Sequence, residues 1–305
     1  MTTKNTPNRL HPLGAMRSNT GAVRPLNEDR VAFVAPQPSD PTAARGNLML
    51  VADGMGGHAA GEVASEIAVE TVRRAFYEVS GEVPQVLAAA FQAANRAILS
   101  WAEGNPECKG MGTTCTAIAV RDDEAWLAHV GDSRAYLLRN ATITQLSDDQ
   151  TLVAQMVRDG QLTTEQAHNS PINNVILQAL GSHAQVIPAI WSEPLRLVAD
   201  DVLILCTDGL SGVVADETIA ELAGRLPADE ACEGLINAAL AAGAPDNVSV
   251  GVFRMVPQIE QADGEPPAGG AKTTRRVNLA AAESAAKAAQ TRKVRVGQPG
   301  TQADG

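Results

Sequence analysis

Aromatic side chains are scarce in this chain: 3 Trp, 2 Tyr and 4 Phe, 3% of 305 residues. Any core must therefore lean on Ala, Val, Leu and Ile. Hydrophobic residues reach 45%, enough for one large core or two modest ones. Positive charge is short as well. Lys and Arg number 24 against 35 Asp and Glu, and the net charge of −11 argues against nucleic acid or an anionic membrane as the main partner. No run approaches the roughly 20 apolar residues a membrane span needs, and Met1 to Pro12 lacks the apolar segment of a signal peptide. Cys108, Cys115, Cys206 and Cys232 form no C-x-x-C pair and sit in apolar company, so buried, reduced thiols are expected rather than a disulfide frame. The expectation is a soluble, cytoplasmic monomer.

What is present is a recurrent device. Leu48 to Ala52 is an apolar run with the length of a buried strand; it stops at Asp53, and Gly54, Gly56, Gly57 and Gly61 follow. A carboxylate at the end of a buried strand, followed by a backbone free of side chains, builds a polar site. A lone Asp-Gly is more often a turn. Here Leu203 to Cys206 is followed by Thr207-Asp208-Gly209, while Val130-Gly131-Asp132-Ser133 and Pro245-Asp246-Asn247 place two more acids at the edges of apolar segments. Four acids at strand ends suggest a site for several hard cations, which prefer oxygen ligands.

Met1 to Pro12 reads as a disordered lead. Helical periodicity covers Glu62 to Val79 and Val83 to Trp101; in the latter, Val83, Val86, Leu87, Ala90, Phe91, Ala94 and Ile98 form one apolar face. Thr113 to Val120, Ala125 to Val130 and Ala135 to Leu138 read as strands on short turns, which favours antiparallel pairing. Short helices are expected over Thr151 to Gly160, Thr163 to His168 and Asn174 to Leu180, in a mixed segment suited to a flap. Val186 to Leu197 and Asp201 to Thr207 return to strand character. Asp216 to Leu226 and Asp229 to Ala242 are helical, and Asn247 to Val256 is a closing strand. Beyond it, Pro257 to Gly305 holds seven Lys or Arg against five acids and almost no large apolar residue, the composition of a disordered tail. The grouping of helices and strands points to α+β.

Arg24-x-x-Asn27-Glu28-Asp29, Asp53-Gly54-Met55-Gly56-Gly57-His58, Gly131-Asp132-Ser133-Arg134, Thr207-Asp208-Gly209 and Asp246-Asn247-Val248-Ser249 stand in the order and rough spacing of one family. Over about Leu13 to Met255 the chain resembles the bacterial metal-dependent, type 2C serine/threonine protein phosphatases. The resemblance implies a four-layer αββα sandwich: two mainly antiparallel sheets between helix pairs, with a flap at about 149–181 and a metal centre at one end. It implies that Asp53 bridges two Mn²⁺ or Mg²⁺ ions, that the Gly54 carbonyl binds one, and that Glu28, Asp208 and Asp246 complete the second. Asp132 would hold a weaker third ion, Asp29 would bond metal-bound water, and Arg24 would hold the substrate phosphate. The implied activity is hydrolysis of phosphoserine and phosphothreonine in proteins by a metal-bridging hydroxide, opposing a bacterial Ser/Thr kinase. A carboxylate-rich, His-poor set favours Mg²⁺ or Mn²⁺ over Zn²⁺.

Three departures bear on this. Met55 stands where animal relatives have a His proposed as general acid, and His58 nearby reads first as structural. In the flap, Gln150 and Ser170 occupy positions often held by His, and Asn173 one often held by Arg, so a basic contact to the phosphopeptide is absent there. Two alternatives remain open from sequence: a pseudophosphatase that binds phosphoproteins or a kinase without turnover, and an enzyme for small phosphoesters or phosphotyrosine.

Overall fold

The computed structural model of the chain describes residues 9–56 and 60–258. In chain order its elements are β1 (Leu10–Asn19), β2 (Asp29–Val34), β3 (Asn47–Met55), α1 (Ala60–Glu78), α2 (Val83–Gly104), β4 (Gly112–Thr113), β5 (Cys115–Arg121), β6 (Glu124–Val130), β7 (Arg134–Arg139) and β8 (Thr142–Gln145). Then come α3 (Leu152–Arg158), α4 (Thr164–His168), β9 (Ala189–Ile190), β10 (Leu195–Arg196), β11 (Val202–Cys206), α5 (Asp208–Ser211), α6 (Asp216–Arg225), α7 (Ala228–Ala241) and β12 (Val248–Pro257).

The strands form two antiparallel sheets. One has the order β1-β12-β11-β7-β8; the other has β10-β6-β5-β3-β2, with β4 added to β3 and β9 to β6. Short turns make the β5–β6 and β7–β8 pairings local: at the β7–β8 corner Asn140 and Ala141 both take left-handed φ, 51° and 60°, which suits the twist of a tight hairpin. Three apolar clusters give the layering. Met49, Val51, Ile118 and Leu127 meet Leu203, Leu205, Phe253 and Met255 between the sheets. Outside one sheet, Leu48 and Leu50 pack with Phe76, Leu87 and Phe91 of α1 and α2. Outside the other, Ile204 and Val250 pack with Ile219 and Leu235 of α6 and α7. The architecture is αββα, as the resemblance implies.

Each helix buries the face its sequence offers. All seven apolar positions of α2 are buried, and Pro84 sits in the first turn, where its missing N–H costs nothing. The buried side of α1 is small in its first half (Ala60, Gly61, Ala64, Ser65, Ala68) and larger beyond, where Val69, Val72 and Phe76 are buried. Two expectations fail. The disorder expected through Pro12 does not hold at its end, because Leu10 to Pro12 belong to β1. Leu10 and Pro12 turn inward while His11 and Leu13 turn out, and Pro12 is tolerated because β1 is an edge strand. Asn174 to Leu180 is not a helix but a run of turns, held by the Leu177 N–H on the Gln150 carbonyl and by the Thr113–Leu180 bridge. The expected strand over Val186 to Leu197 is reduced to β9 and β10. His58 and the expected disordered tail beyond Gln258 lie outside the described residues; Pro257 ends β12, and the Gln258 N–H donates to the Arg9 carbonyl. No helix among the described residues is long and apolar enough to cross a membrane.

Candidate metal centre

Four segments bring their acids to one end of the sandwich. In the β2–β3 ladder Asp29 lies directly opposite Asp53. Asp208 follows β11 and opens α5, and Asp246 leads into β12. Close approach there requires glycine. A Cβ on Gly54 would stand 2.1 Å from the Gly61 carbonyl oxygen and one on Gly209 1.9 Å from that of Asn247, so neither position accepts a side chain without backbone movement.

The acids are held by groups buried behind them. Asp29 Oδ2 accepts from Thr207 Oγ1 at 2.9 Å and Ser249 Oγ at 2.6 Å, so a carboxylate of one sheet is fixed by hydroxyls of the other. The Asp53 backbone is clamped on both sides. Its N–H donates to Thr114 Oγ1 at 2.9 Å, and its carbonyl accepts from Thr113 Oγ1 at 2.8 Å and the Thr114 N–H at 2.9 Å. Asn247 holds the loop that carries Arg24 and Glu28: Oδ1 accepts the Glu28 N–H at 2.8 Å, and Nδ2 donates to the carbonyls of Thr20 and Leu26. Thr207, Asn247 and Ser249 stand inside the sequence motifs but announced no role, because their partners lie about 180 to 230 residues away. Replacing the buried Asn247 by Ala strands one N–H and two carbonyls. We expect a loss of about 3 kcal/mol, read as a melting temperature roughly 10 °C lower. A shift under 2 °C would show that the loop does not depend on this clamp.

Crowding of like charge sets the electrostatics. Burial, then Asp29 and Asp208, hold the Asp53 carboxyl well above the ordinary range. Burial pushes Asp29 up to about 7 against the pull of its two hydroxyl donors, and Asp132 up to about 7 with help from Asp208 and Asp149. Glu28 and Asp208 are raised too, burial again leading. Among the described residues no three such side chains are closed around one point as a ready-made ligand set. Yet Glu28 Oε1, Asp29 Oδ1, Asp132 Oδ1 and Asp208 Oδ1 are all buried without a hydrogen-bond partner. Glu28 Oε1 lies against Gly61, where a Cβ would stand 2.7 Å from it. Four orphaned carboxylate oxygens at one end of a sandwich are costly unless a cation completes them, and an all-oxygen set fits a hard one.

Arg24 Nη2 donates to Asp246 Oδ2 at 2.7 Å, and the other oxygen of Asp246 accepts the Asn247 N–H. The expected phosphate ligand and an expected cation ligand are thus paired with each other at the exposed rim. From Asp132 and Asp208 an open cleft of about 830 Å³ runs past Asp149 to Arg158, His168 and Asn173 of the flap. Arg158 and His168 stand in no motif of the sequence, yet with Asn173 they line the cleft and give its flap side a guanidinium and an imidazole. Gln150 is a brace instead, its Oε1 taking the Gly131 N–H and its own N–H meeting the Gly131 carbonyl. All four cysteines are buried and free, and burial drives Cys115, Cys206 and Cys232 up to about 12, so these three offer no nucleophilic thiolate.

Residues 26–243 match the model of the protein phosphatase 2C family. The chain belongs to that family. Arg24 and Asp246 fall just outside the matched residues. Similar members include the serine/threonine protein phosphatase PstP of Mycobacterium tuberculosis, 42% identical over 243 residues, which are 79% of this chain and 45% of PstP. The chain therefore spans less than half the length of that relative. The serine/threonine phosphatase stp of Listeria monocytogenes is 35% identical over 240 residues, 77% of this chain and 92% of stp. Among solved structures, the catalytic domain of PstP in complex with two manganese ions superposes with a TM-score of 0.70 at 40% identity, covering 81% of this chain and 99% of that one. Stp1 of Staphylococcus aureus reaches 0.73 at 29% identity, covering 83% and 99%.

Proposed function

We propose that the chain hydrolyses phosphoserine and phosphothreonine in proteins with the help of two divalent cations, Mn²⁺ or Mg²⁺, and that it does so as a cytoplasmic monomer opposing a Ser/Thr kinase. The observation that carries the reading is the set of orphaned, buried carboxylate oxygens beside an open cleft of about 830 Å³. Family membership and the manganese complex of PstP support it.

In this reading Asp53 would serve both ions, the Gly54 carbonyl one of them, and Glu28, Asp208 and Asp246 the other; Asp132, with Asp208, would hold a third. The cations supply a hydroxide near neutral pH and relieve charge on the phosphoryl and leaving oxygens. Asp29, held by Thr207 and Ser249, keeps one oxygen free to accept a proton from water at the centre. Arg24 is placed to leave Asp246 for the phosphate, where its planar guanidinium spans two oxygens. Neither Met55 nor any buried thiol supplies a proton to the leaving group.

A pseudophosphatase is the weaker reading, since Glu28, Asp53, Asp208 and Asp246 are all retained. The deciding experiment is hydrolysis of a phosphothreonine peptide and of p-nitrophenyl phosphate with Mn²⁺, with Mg²⁺ and with EDTA. Turnover of both substrates, abolished by EDTA and restored by Mn²⁺, is expected. A folded protein inert with every ion would move the binding reading into its place.

A further inference from the structure

His129 stands on β6, three residues ahead of Asp132, and is 0% exposed. It lies directly across the β5–β6 ladder from Thr116. Its Nδ1 is 2.8 Å from Thr116 Oγ1, and that hydroxyl also reaches the Ser133 carbonyl at 2.8 Å. On the far side of the ring, Nε2 is 3.2 Å from the Asp148 carbonyl. The two carbonyls belong to different parts of the site. Ser133 closes the loop that carries Asp132, and its hydroxyl contacts Thr114, which takes the Asp53 N–H. Asp148 opens the root of the flap, beside the Asp149 carboxylate that Arg134 grips through Nε and Nη2.

Burial lowers His129 below the usual imidazole range, so the ring near neutrality carries one N–H. One ring proton and one Thr116 hydroxyl proton then serve three short contacts. In one ordering Nδ1–H donates to Thr116 and Thr116 donates to Ser133. In the other, Thr116 donates to Nδ1 and Nε2–H donates to Asp148. A space-filling side chain would need neither partner; this one joins two loops that have no strand in common.

We propose that His129 is a positioning residue which, with Thr116, fixes the root of the flap against the loop that carries Asp132. The proposal rests on the reading of the cleft as the phosphopeptide site, but the ring's own contacts involve no cation. The test therefore starts on metal-free protein, with amide hydrogen exchange in His129→Asn, His129→Gln and Thr116→Val. Asn can still reach Thr116 but not Asp148, whereas Gln reaches toward Asp148. The readout is the Gln150 amide, which donates to the Gly131 carbonyl at 2.8 Å. We expect it to exchange at least tenfold faster in His129→Asn and Thr116→Val, to recover in His129→Gln, and to leave the amides of α2 unchanged. With Mn²⁺, the KM for a phosphothreonine peptide should rise at least fivefold in His129→Asn, more than kcat falls. Wild-type exchange at Gln150 in His129→Asn and Thr116→Val overturns the proposal, as does acceleration spread evenly through α2. Should His129→Asn fail to fold, the nearly isosteric Thr116→Val carries the test. Lack of phosphatase activity in the wild type would sink the functional reading without touching the exchange result.

Discussion

Asp53→Asn should lower Mn²⁺-dependent turnover by at least a thousandfold, about 4 kcal/mol of barrier, while the protein stays folded. The side chain sits among Asp29, Asp208 and Asp132, which with burial favour its uncharged form, so a neutral amide removes the proposed ligand of both cations at little cost to the metal-free fold. Its backbone bonds to Thr113 and Thr114 do not depend on the carboxylate and should survive. The metal-free variant should thus melt no lower than metal-free wild type, an unusual outcome for a buried substitution. Steady-state kinetics with Mn²⁺, paired with thermal scans in EDTA, check both halves. Turnover within tenfold of wild type would remove Asp53 from the centre. A melting point several degrees lower would mean that the carboxylate is a structural bond rather than a ligand kept in reserve.

The second large effect is a stabilisation by Mn²⁺ that grows with pH. Carboxyls such as Asp29 and Asp132 titrate near 7 in the folded protein but near 4 in an unfolded chain. Between those values the folded state binds more protons than the unfolded one, so metal-free stability falls as pH rises from about 4 to about 7. Below that window both states are protonated and the penalty vanishes. Cations must displace the same protons, so their affinity climbs across the window. At pH 7.5, Mn²⁺ a thousandfold above its dissociation constant should add about 4 kcal/mol, on the order of 10 °C for a domain of this size. At pH 5 the gain should be much smaller. The difference between scans with Mn²⁺ and with EDTA isolates this from general acid effects. An equal Mn²⁺ shift at pH 5 and pH 7.5 would contradict the idea that these acids are the ligands.

Much of this molecule could be read from its residues, for reasons that are local. The apolar stripe of α2 has the helical period, and all seven positions are buried. Asp53 and Asp208 could be found because each ends an apolar run at an Asp-Gly, a pattern contained in a few residues. What escaped depends on partners distant in sequence. β1 hid behind a polar lead and a proline, and only its pairing with β12 makes it a strand. The stretch from Asn174 has apolar residues at helical spacing, yet Gln150 and Thr113 take its backbone bonds and hold it in turns. The Arg24–Asp246 pair spans 222 positions and has no signature in either motif. Chemistry was legible where one segment carried it, and geometry was hidden where two segments had to meet.

The position of β12 has a consequence for how the protein comes into being. It is inserted between β1 and β11, so the first strand made has no neighbour in its sheet until the last one arrives. Asn247 and Ser249, which steady the Glu28 loop and Asp29, arrive with it. A nascent chain still short of residue 250 therefore has two open strand edges and an unanchored cluster of acids. It is exposed to misassociation, and its acids lack the groups that hold them, however complete its earlier motifs. Maturation is governed by the slowest, longest-range pairing in the molecule, and prematurely terminated products should behave as clients for chaperones and proteases rather than as weakened enzymes.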